Sequence, residues 1–520
     1  MSLVLAHALA DRLAALGMRE CVICAGARNA SLVAVLTSAP HLRLWSFPEE
    51  RSAAFFALGR AIASGRPVPV ITTSGTAAAE LLPAVIEAHY QAVPLWAVTA
   101  DRPRRFRGSG APQAIEQAGL FGPYAPTLDL ETADDPATAI VPDPSRPVHW
   151  NVCLEEPSAA ELRHIPPLHL PAVPIPPPDR APTAPIDAFL TDKSGLIVLV
   201  GSLPEAEQAA AAAFLLRLGC PVDAEATSGL REHPGLAPLL VRGGDRALAA
   251  LPIGRVLRLG GVPTCRLWRD LESRPEIPVL NLTHARYSGL ARPSQTFIGY
   301  PDWHALDTGP PATLRPARAL NESVFASHPR SEPSLIRALS RRIPVGSTLF
   351  LGNSLPIREW NTFAHPADRG YRCFANRGAN GIDGTLSTWL GVSTDAPESW
   401  AIVGDLTALY DLAAPWILPQ LPPARRRLVI VNNGGGKIFR QLPALNRSFS
   451  DAQWQAMENT HTLQFRGWAE MWGLPWQRIQ SPEELRSLPD SPGTVIEIVP
   501  DPVQTEAFWQ HWATLDLSPA

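Results

Sequence analysis

The sequence has few cysteines, no excess of one charge and no long apolar run, and each absence narrows the possible functions. The formal net charge is −4 and no block of like charges occurs, so nothing favours a nucleic-acid partner or an interaction tail. No apolar stretch approaches bilayer length, which predicts no membrane span. Residues 1–20 show the spacing of an amphipathic helix without a basic start or a cleavage-site pattern. We therefore expect no signal peptide and a soluble, cytoplasmic protein.

Of the six cysteines, Cys21 and Cys24 have the spacing of a redox or zinc motif. They lie in an apolar run typical of a strand, and no second pair accompanies them. We interpret both as thiols of the hydrophobic core. The Gly-x-Gly-x-x-Gly fingerprint of nucleotide binding is also absent, so Gly201 and the Gly260-Gly261 pair are interpreted as turns after strands.

The composition is that of a globular protein, with 46% hydrophobic and 18% charged residues, and 520 residues suffice for three domains. Apolar runs typical of strands alternate with helical patterns, which predicts parallel sheets flanked by helices. In the first block these runs are residues 21–24, 42–47, 68–73 and 95–99. The 55 prolines concentrate between these blocks, notably at Pro310, Pro311, Pro316, Pro329 and Pro333. We predict three doubly wound α/β domains at residues 1–165, 186–307 and 334–520, joined by Pro-rich linkers at 166–185 and 308–333.

Two polar positions at strand ends in the third block are the most informative feature of the chain. A strand-like run ends at Gly404-Asp405-Leu406, a helical pattern follows, and a second strand-like run ends at Asn432-Asn433. Such a βαβ unit makes the strands parallel and places Asp405 beside Asn433 at their carboxyl ends. One carboxylate, one amide oxygen and a loop carbonyl form a partial oxygen shell of the kind that Mg²⁺ prefers. Glycines at 434–436 would let the backbone approach a diphosphate closely.

Either half of this pattern alone would be an ordinary turn, but together they resemble the metal–diphosphate motif of thiamine-diphosphate enzymes. The resemblance implies Asp405, Asn433 and the Gly435 carbonyl as ligands of Mg²⁺ or Mn²⁺, with Gly404 and Leu406 beside the cofactor. Leu406 stands where that family usually has glycine. Three α/β blocks match the pyruvate-oxidase-like branch of the family. In that branch the cofactor lies at a subunit interface, which implies a homodimer or tetramer with active sites at the dimer interface.

An enzyme of that family also needs an acid that faces the aminopyrimidine ring and favours the cofactor tautomer that removes the thiazolium C2 proton. Phe47-Pro-Glu-Glu50-Arg51 follows a predicted strand and resembles the segment that carries this acid. We select Glu50, with Glu49 as the alternative, although a solvated acidic turn would also give this pattern. Thr73-Ser-Gly-Thr76 follows at the usual distance, either as packing beside the cofactor or as a plain helix cap.

Several segments resemble one branch of the family closely, that of the menaquinone-pathway synthases. They are Thr99-Ala-Asp-Arg-Pro103, Gln113-Ala-Ile-Glu-Gln117, Gly352-Asn-Ser-Leu-Pro-Ile-Arg358, Asn376-Arg-Gly-Ala-Asn-Gly-Ile-Asp-Gly384, Gly404-Asp-Leu-Thr-Ala-Leu-Tyr-Asp-Leu412 and Asn432-Asn-Gly-Gly-Gly-Lys-Ile-Phe439. The resemblance implies a transferase that decarboxylates 2-oxoglutarate and adds the succinyl carbanion to isochorismate. Gly-Asp-Leu is the usual form of the metal motif in this branch.

Both substrates are dicarboxylates, so the site needs fixed cations, and arginine suits carboxylate binding best. The resemblance implies that the substrate-binding residues are Arg28, Arg102, Gln113, Arg266, Ser354, Arg358 and Arg377. It also implies Ile382 as the residue that bends the cofactor, with Phe439 and Leu442 as an apolar wall. For any single arginine the alternative is a surface cation or an ion-pair partner, and this alternative is strongest for Arg266.

Three departures from the branch pattern fall on the substrate side. Gly26-Ala27-Arg28-Asn29 replaces Gly-Ser-Arg-Ser, Pro112 replaces a common Asn, and Cys265 replaces a common Lys. They leave open a different 2-oxoacid decarboxylase or an acetolactate-synthase-like enzyme that accepts pyruvate. An inactive cofactor-binding subunit would be expected to lose Glu50, Asp405 or Asn433, and all three are present.

Overall fold

The computed structural model describes residues 2–141, 143, 145–175, 179–311 and 322–517. Parts of both predicted linkers, 176–178 and 312–321 with Pro316, lie outside these residues, as does Met1. The chain divides into two compact units. The first comprises Met1–Pro177, Gly378–Asp395 and Tyr410–Pro422. The second comprises Pro178–Arg377, Ala396–Leu409 and Pro423–Ala520.

The first unit contains a six-stranded parallel sheet with the order β2-β1-β3-β4-β6-β5. Its strands are Glu20–Ile23 (β1), Arg43–Ser46 (β2), Val68–Thr72 (β3), Leu95–Asp101 (β4), Thr127–Leu130 (β5) and Val148–Cys153 (β6). The apolar runs predicted as strands form β1 to β4. Cys21 and Cys24 are buried and free at β1, which confirms that they are core thiols.

The helices of the first unit pack on this sheet and on one another. They are Ser2–Ala15 (α1), Ala30–Thr37 (α2), Glu50–Ser64 (α3), Thr76–Ala79 (α4), Leu82–Gln91 (α5), Asp135–Thr138 (α6) and, from a distant part of the chain, Thr385–Val392 (α14). Helices α3 and α14 cross at Gly59 and Gly391. A Cβ atom at Gly59 would lie 2.2 Å from the Thr388 carbonyl oxygen, and one at Gly391 would lie 2.2 Å from that of Phe56. This close crossing therefore requires glycine on both helices.

The second unit contains two parallel sheets. The first has the order β11-β10-β9-β7-β8. Its strands are Leu196–Val200 (β7), Val222–Ala224 (β8), Arg255–Leu259 (β9), Val279–Thr283 (β10) and Gln295–Ile298 (β11). Along β7, Val198 and Val200 belong to one buried apolar cluster, and Ile197 and Leu199 belong to another. Both faces of this sheet are therefore covered, as in a doubly wound fold.

The other sheet of the second unit has the order β13-β12-β14-β15-β17-β16, again with all strands parallel. Its strands are Thr348–Leu351 (β12), Arg372–Phe374 (β13), Glu398–Gly404 (β14), Arg425–Val431 (β15), Trp476–Ile479 (β16) and Gly493–Ile498 (β17). Three parallel α/β sheets confirm the predicted fold class. The strands of each sheet lie within one of the three predicted ranges.

Helices connect these strands. Those that begin in the second unit are Thr183–Leu190 (α7), Glu205–Leu218 (α8), Gly244–Ala249 (α9), Arg266–Asp270 (α10), Ser323–Ser327 (α11), Glu332–Ser340 (α12), Leu355–Phe363 (α13), Asp405–Tyr410 (α15), Pro443–Ser448 (α16), Asp451–Glu458 (α17), Arg466–Met471 (α18) and Pro502–Thr514 (α19). The search of the described residues for a helix long and apolar enough to cross a membrane found none.

Candidate active site

The strongest candidate site lies where β14 and β15 end. The two strands pair in parallel, with Gly404 opposite Val431, so the residues that follow them emerge at the same edge of the sheet. Asp405 is the first residue of α15 and is buried. Its Oδ2 accepts hydrogen bonds from the backbone N–H groups of Gly434 (2.8 Å) and Gly435 (3.0 Å). The carboxylate is thus fixed against the turn that carries Asn433.

Asn433 has one satisfied and one unsatisfied end. Its Nδ2 donates a 2.9 Å hydrogen bond to Oε2 of Glu332, the first residue of α12. Its Oδ1 is buried and has no hydrogen-bond partner among the residues described. A buried acceptor without a donor costs about 1–3 kcal/mol, so the free oxygen is a feature that needs a ligand.

The electrostatics of this edge favour a cation. Burial raises the pKa of Asp405, while the N–H groups of Gly435, Leu406 and Gly434 and the His461 ring oppose that shift. Burial also raises the pKa of Glu332 to about 7, with the Asn433 hydrogen bond opposing and the Asp405 charge adding to the shift. A divalent cation would relieve the cost of holding these charges away from water. The donor set and the free Asn433 oxygen fit the predicted metal.

The glycine turn has a backbone conformation that favours glycine. Gly434 and Gly435 have φ values of +81° and +129°, and a Cβ atom on Gly435 would lie 2.4 Å from the Glu458 carbonyl oxygen. The Gly435 carbonyl, a predicted metal ligand, accepts a 2.9 Å hydrogen bond from the Lys437 N–H and keeps a second lone pair. The predicted close approach of the backbone at this turn therefore has a structural basis.

The residues that follow the glycine turn form hydrogen bonds with Glu458, the last residue of α17. The buried Glu458 carboxylate accepts hydrogen bonds from Lys437 Nζ at 2.6 Å and from Arg440 Nε. The backbone carbonyl of Glu458 accepts from the Gly436 N–H at 2.6 Å. The segment Lys437–Gln441 forms a short 3₁₀ helix. Phe439 on this segment is half-buried and Leu442, which follows it, is exposed. Their role as an apolar wall for the cofactor remains a prediction.

In the first unit, the two glutamates at the start of α3 have different tasks. Glu49 is the N-cap, and its side chain accepts from the backbone N–H groups of Arg51 (3.1 Å) and Ser52 (2.9 Å). Glu50 follows it, half-buried, with its pKa raised by burial and further by the charges of Glu49 and Glu80. A carboxyl group with a raised pKa can share a proton with a ring nitrogen, whereas Glu49 is committed to capping the helix. The role of Glu50 as the acid remains a prediction.

The buried side-chain amide of Gln117 links the turn after β3 to the segment that contains Gln113. The Gly75 N–H donates a 2.8 Å hydrogen bond to Gln117 Oε1, and Gln117 Nε2 donates to Asn151 Oδ1 at 3.0 Å. Gln113 has a φ of +54°, and a Cβ atom on Gly75 would lie 3.3 Å from Gln113 Cα. Positive φ in a residue other than glycine is a form of strain that is frequent at functional sites. Gln117 thus holds Gln113 beside the turn.

Arg28 and Arg102 both have protein partners in the first unit. The buried Arg28 donates to the Leu154 carbonyl at 3.0 Å and pairs with Glu156 at 3.3 Å. Arg102 donates through Nε to the Pro112 carbonyl at 2.9 Å. Their predicted binding of substrate carboxylates would have to share or replace these contacts.

Arg358 and Arg377 meet at the turn that follows β12. Arg358 donates to the Ser354 carbonyl at 2.8 Å, and Arg377 donates to Asn353 Oδ1 at 2.9 Å. Ser354 has a φ of +72°, which is strained for a residue with a Cβ atom. Burial lowers the pKa of Arg358, and the charges of Glu225 and Asp245 oppose that change. Three of the predicted substrate residues therefore share one turn.

Arg266 is placed differently. Its side chain is about half exposed (53%) and its Nε lies 3.4 Å from Asp270 Oδ2, one turn along α10. Its backbone N–H donates to Asp245 Oδ1 at 2.6 Å. Exposed i,i+4 pairs of this kind contribute little to stability. The surface alternative noted for Arg266 describes this arrangement well, and its role in binding substrate remains a prediction.

Two of the three departures from the branch pattern make local hydrogen bonds. Asn29, in place of a hydroxyl residue, closes the turn after β1, because its Oδ1 accepts from the Gly26 N–H (2.9 Å) and its Nδ2 donates to the Cys24 carbonyl (2.8 Å). Pro112 supplies the carbonyl that Arg102 binds. Cys265 is the N-cap of α10 and makes no side-chain cap hydrogen bond there.

Comparison with known proteins identifies the family. Residues 3–120 match the model described as "Thiamine pyrophosphate enzyme, N-terminal TPP binding domain". The 2-succinyl-5-enolpyruvyl-6-hydroxy-3-cyclohexene-1-carboxylate synthase of Akkermansia muciniphila is 45% identical over 515 residues, covering 94% of this chain and 95% of that protein. The protein of the same name from Bdellovibrio bacteriovorus is 39% identical over 522 residues, covering 96% of each chain.

The chain belongs to the 2-succinyl-5-enolpyruvyl-6-hydroxy-3-cyclohexene-1-carboxylate synthase family. A relative from Synechococcus sp. (strain RCC307) has the same name and is 36% identical over 492 residues. Membership of the synthase family confirms the resemblance drawn from the sequence, and it makes the chain a thiamine-diphosphate-dependent enzyme.

The sequence did not predict three residues whose hydrogen bonds hold segments of the candidate site in place. Glu332 binds Asn433, and Gln117 binds Gly75, as described above. Glu87 of α5 accepts from the backbone N–H groups of Gly378 and Ala379, both at 2.7 Å, and thereby anchors the loop that carries Ile382. A glutamate within the otherwise apolar start of α5 was the one local signal for Glu87. The predicted contact of Ile382 with the cofactor remains a prediction.

Proposed function

We propose that this chain catalyses the thiamine-diphosphate-dependent decarboxylation of 2-oxoglutarate and the addition of the succinyl carbanion to isochorismate in menaquinone biosynthesis. The name of the relatives, which match over nearly the whole chain, describes the product of this conjugate addition. The structural observation that carries the proposal is the convergence of predicted metal and substrate residues on one sheet edge.

That convergence follows from strand order. Strands β12, β14 and β15 are consecutive neighbours in the sheet, and all three are parallel. Their carboxyl ends are followed by Ser354, Asp405 and Asn433 respectively. Ligands of open parallel sheets bind at this edge. The Arg358 and Arg377 guanidinium groups, which are hydrogen-bonded to the first of these turns, would therefore supply positive charge at this edge.

Each group has a distinct task in this proposal. Asp405, Asn433 and the Gly435 carbonyl would hold Mg²⁺ or Mn²⁺, and the glycine turn would face the diphosphate. The cofactor, when bound, supplies the stabilisation of the carbanion. Glu50 would hold a proton at the aminopyrimidine ring. Arg358 and Arg377 would bind substrate carboxylates, with Arg28, Arg102, Gln113, Arg266 and Ser354 as further candidates.

Three broader assignments belong to the same proposal. The domains would be a pyrimidine-binding domain (1–165), a central domain (186–307) and a diphosphate-binding domain (334–520), with linkers between them. The active protein would be a homodimer or tetramer with the cofactor at the dimer interface, and it would be cytoplasmic. The family resemblance supports the assembly, and the containment of one sheet in each range supports the domains.

A pyruvate-specific enzyme is the main alternative, and substrate preference separates the two. We expect carbon dioxide release from 2-oxoglutarate to exceed release from pyruvate strongly, and an adduct to form with isochorismate. A second carboxylate without a cation in a dry pocket costs several kcal/mol, and a smaller acid would leave a buried arginine unpaired. Comparable turnover of pyruvate, or no adduct, would move the chain to the decarboxylase or acetolactate-synthase-like reading.

Arg358→Ala tests the substrate cations directly. Removing one partner of a buried charge pair costs about 2–5 kcal/mol, so kcat/KM for 2-oxoglutarate should fall by about 30-fold or more. Thiamine diphosphate affinity, measured by calorimetry with Mg²⁺, should not change. Arg269→Ala is the matched control, since that side chain is 64% exposed on α10. Equal losses in both variants would remove Arg358 from the substrate site.

The proposed interface predicts complementation between inactive variants. If Glu50 of one subunit and Asp405 of its partner serve the same cofactor, a mixed dimer of Glu50→Gln and Asp405→Ala chains has one intact site. Co-expression with two affinity tags, followed by tandem purification, should recover about half of the wild-type activity per dimer. Activity no higher than that of either parent would show that each site is built from a single chain.

A further inference from the structure

We propose that Glu332 is the positioning residue that fixes the orientation of the Asn433 amide, so that Oδ1 of Asn433 is presented to the metal. This inference rests on the proposed metal site and adds to it a residue 101 positions away along the chain. Glu332 would act through Asn433, without binding the metal itself.

The position of Glu332 is defined independently of Asn433. It is the first residue of α12, after the N-cap Ser331, and its backbone N–H donates a 3.0 Å hydrogen bond to Thr505 Oγ1 of α19. Its side chain is buried, with a relative exposure of 2%. Because the start of α12 is hydrogen-bonded to α19, the Glu332 carboxylate lies beside the turn that follows β15, within hydrogen-bond distance of Asn433 Nδ2.

An asparagine amide has nearly the same shape in its two orientations, which differ by half a turn about χ2. Its neighbours therefore decide which end faces which way. Asn433 Nδ2 donates the 2.9 Å hydrogen bond to Glu332 Oε2, so Glu332 holds the NH₂ end of Asn433 and the amide oxygen faces the other way. The result is the buried Oδ1 that has no partner in the described part of the chain. The fold thus uses a hydrogen bond on one side to present a free lone pair on the other.

A second buried acid, Glu359, interacts with Glu332 and provides a control. Glu359 of α13 interacts electrostatically with Glu332, yet both of its carboxylate oxygens are buried without a hydrogen-bond partner in the described residues. Burial raises the pKa of Glu359 well above its usual range, with the Glu332 charge adding to the shift. Glu359→Gln would keep the shape of this side chain and would leave the hydrogen bond between Glu332 and Asn433 in place. It is the matched control for changes at Glu332.

Two substitutions at Glu332 separate orientation from charge. Glu332→Leu removes the acceptor, so the metal-binding orientation would leave the Asn433 NH₂ group buried and unpaired. Changes to groups that orient metal ligands typically lower metal affinity about 10–100-fold, and we expect a loss in this range. Glu332→Gln keeps an acceptor oxygen but can also donate. If both amide orientations become equally populated, the apparent affinity falls by about twofold.

The measurement is the binding of Mn²⁺ to the full chain with saturating thiamine diphosphate, read from the electron paramagnetic resonance signal of free Mn²⁺. We expect the Leu variant to bind about 10–100-fold more weakly, and the Gln variant and Glu359→Gln to bind within about threefold of wild type. With excess Mg²⁺ the Leu variant should recover its kcat, because its defect lies in metal affinity. Calorimetry of the metal-free proteins should show similar unfolding temperatures for the Gln variant and wild type.

The outcomes distinguish the inference from the function on which it rests. Equal losses in the Gln and Leu variants would make Glu332 a direct ligand and overturn the positioning role. Wild-type affinity in the Leu variant would also overturn it, while the metal site itself would stand. If wild-type protein bound no Mn²⁺ with thiamine diphosphate, the proposed function would fail first.

Discussion

Asp405→Ala is expected to lose magnesium-dependent binding of thiamine diphosphate while keeping its fold. The carboxylate is buried at the end of β14 and is oriented by two N–H groups of the β15 turn, at 2.8 and 3.0 Å. Changes to the residues around metal ligands typically weaken metal binding about 10–100-fold. Removing a direct ligand should weaken metal binding more than that. Calorimetric titration of thiamine diphosphate with Mg²⁺ measures this loss. Unchanged affinity would refute the metal-ligand assignment.

Asp405→Asn separates the charge of this residue from its role as an acceptor. The amide oxygen can still accept from Gly434 and Gly435, so the turn should keep its conformation, while the anionic ligand is lost. The Asn variant keeps two hydrogen bonds that the Ala variant loses, each worth about 0.5–1.5 kcal/mol, so the Ala variant should unfold more readily than the Asn variant. Weak metal binding in both variants, with the larger loss of stability in Ala, would assign the affinity to the charge.

The pairing of the strand ends that carry Asp405 and Asn433 could be predicted because its information is local in the sequence. Two apolar runs end at Gly404-Asp405 and at Asn432-Asn433, and parallel strands must present their carboxyl ends together. The structure has this arrangement, with Gly404 opposite Val431. The same logic predicted β1 to β4. It did not find β6, where the buried polar residues His149 and Asn151 interrupt the apolar pattern.

The residues that support the site could not be predicted, because their contacts join distant parts of the chain. Glu332 begins a helix after Ser331, and in the sequence this reads as an ordinary helix start. Gln117 reaches Gly75 across 42 positions, again without a local signal. The direction of a long side chain is equally undetermined: Arg266 extends along its own helix towards Asp270, although its position matches the family pattern. The sequence therefore predicts the position of the backbone better than the direction of a guanidinium group.

The two candidates for the acid, Glu50 and the alternative Glu49, have different surroundings in the structure. Both stand at the start of α3, but only Glu49 has the extended backbone of an N-cap, with φ −133° and ψ 123°. Its two oxygens accept from N–H groups of the first turn. Glu50 is left without that task, and burial raises the pKa of its carboxyl group. The two residues should therefore fail in different ways when they are changed.

Glu50→Gln is expected to bind thiamine diphosphate but to activate it poorly. The amide keeps the shape of the side chain and cannot take part in proton transfer with the aminopyrimidine ring. General acid–base assistance is typically worth about 10²–10⁴ in rate, and hydrogen–deuterium exchange at C2 of the bound cofactor should slow by this factor. The pKa of Glu50 is raised on folding, so its ionised form opposes folding at neutral pH. The Gln variant should consequently be as stable as wild type or slightly more stable.

Glu49→Gln should give the opposite pattern and serves as the matched control. Glutamine is a poor N-cap, and losing a cap costs about 0.5–2 kcal/mol, so the unfolding temperature should fall. Exchange at C2 should stay close to the wild-type rate, because the cap does not depend on the cofactor. If exchange instead slows in Glu49→Gln and is normal in Glu50→Gln, Glu49 is the catalytic acid. Glu49 would then have to give up its hydrogen bonds from two backbone N–H groups in order to act. The stability of the protein would consequently depend on whether the cofactor is bound.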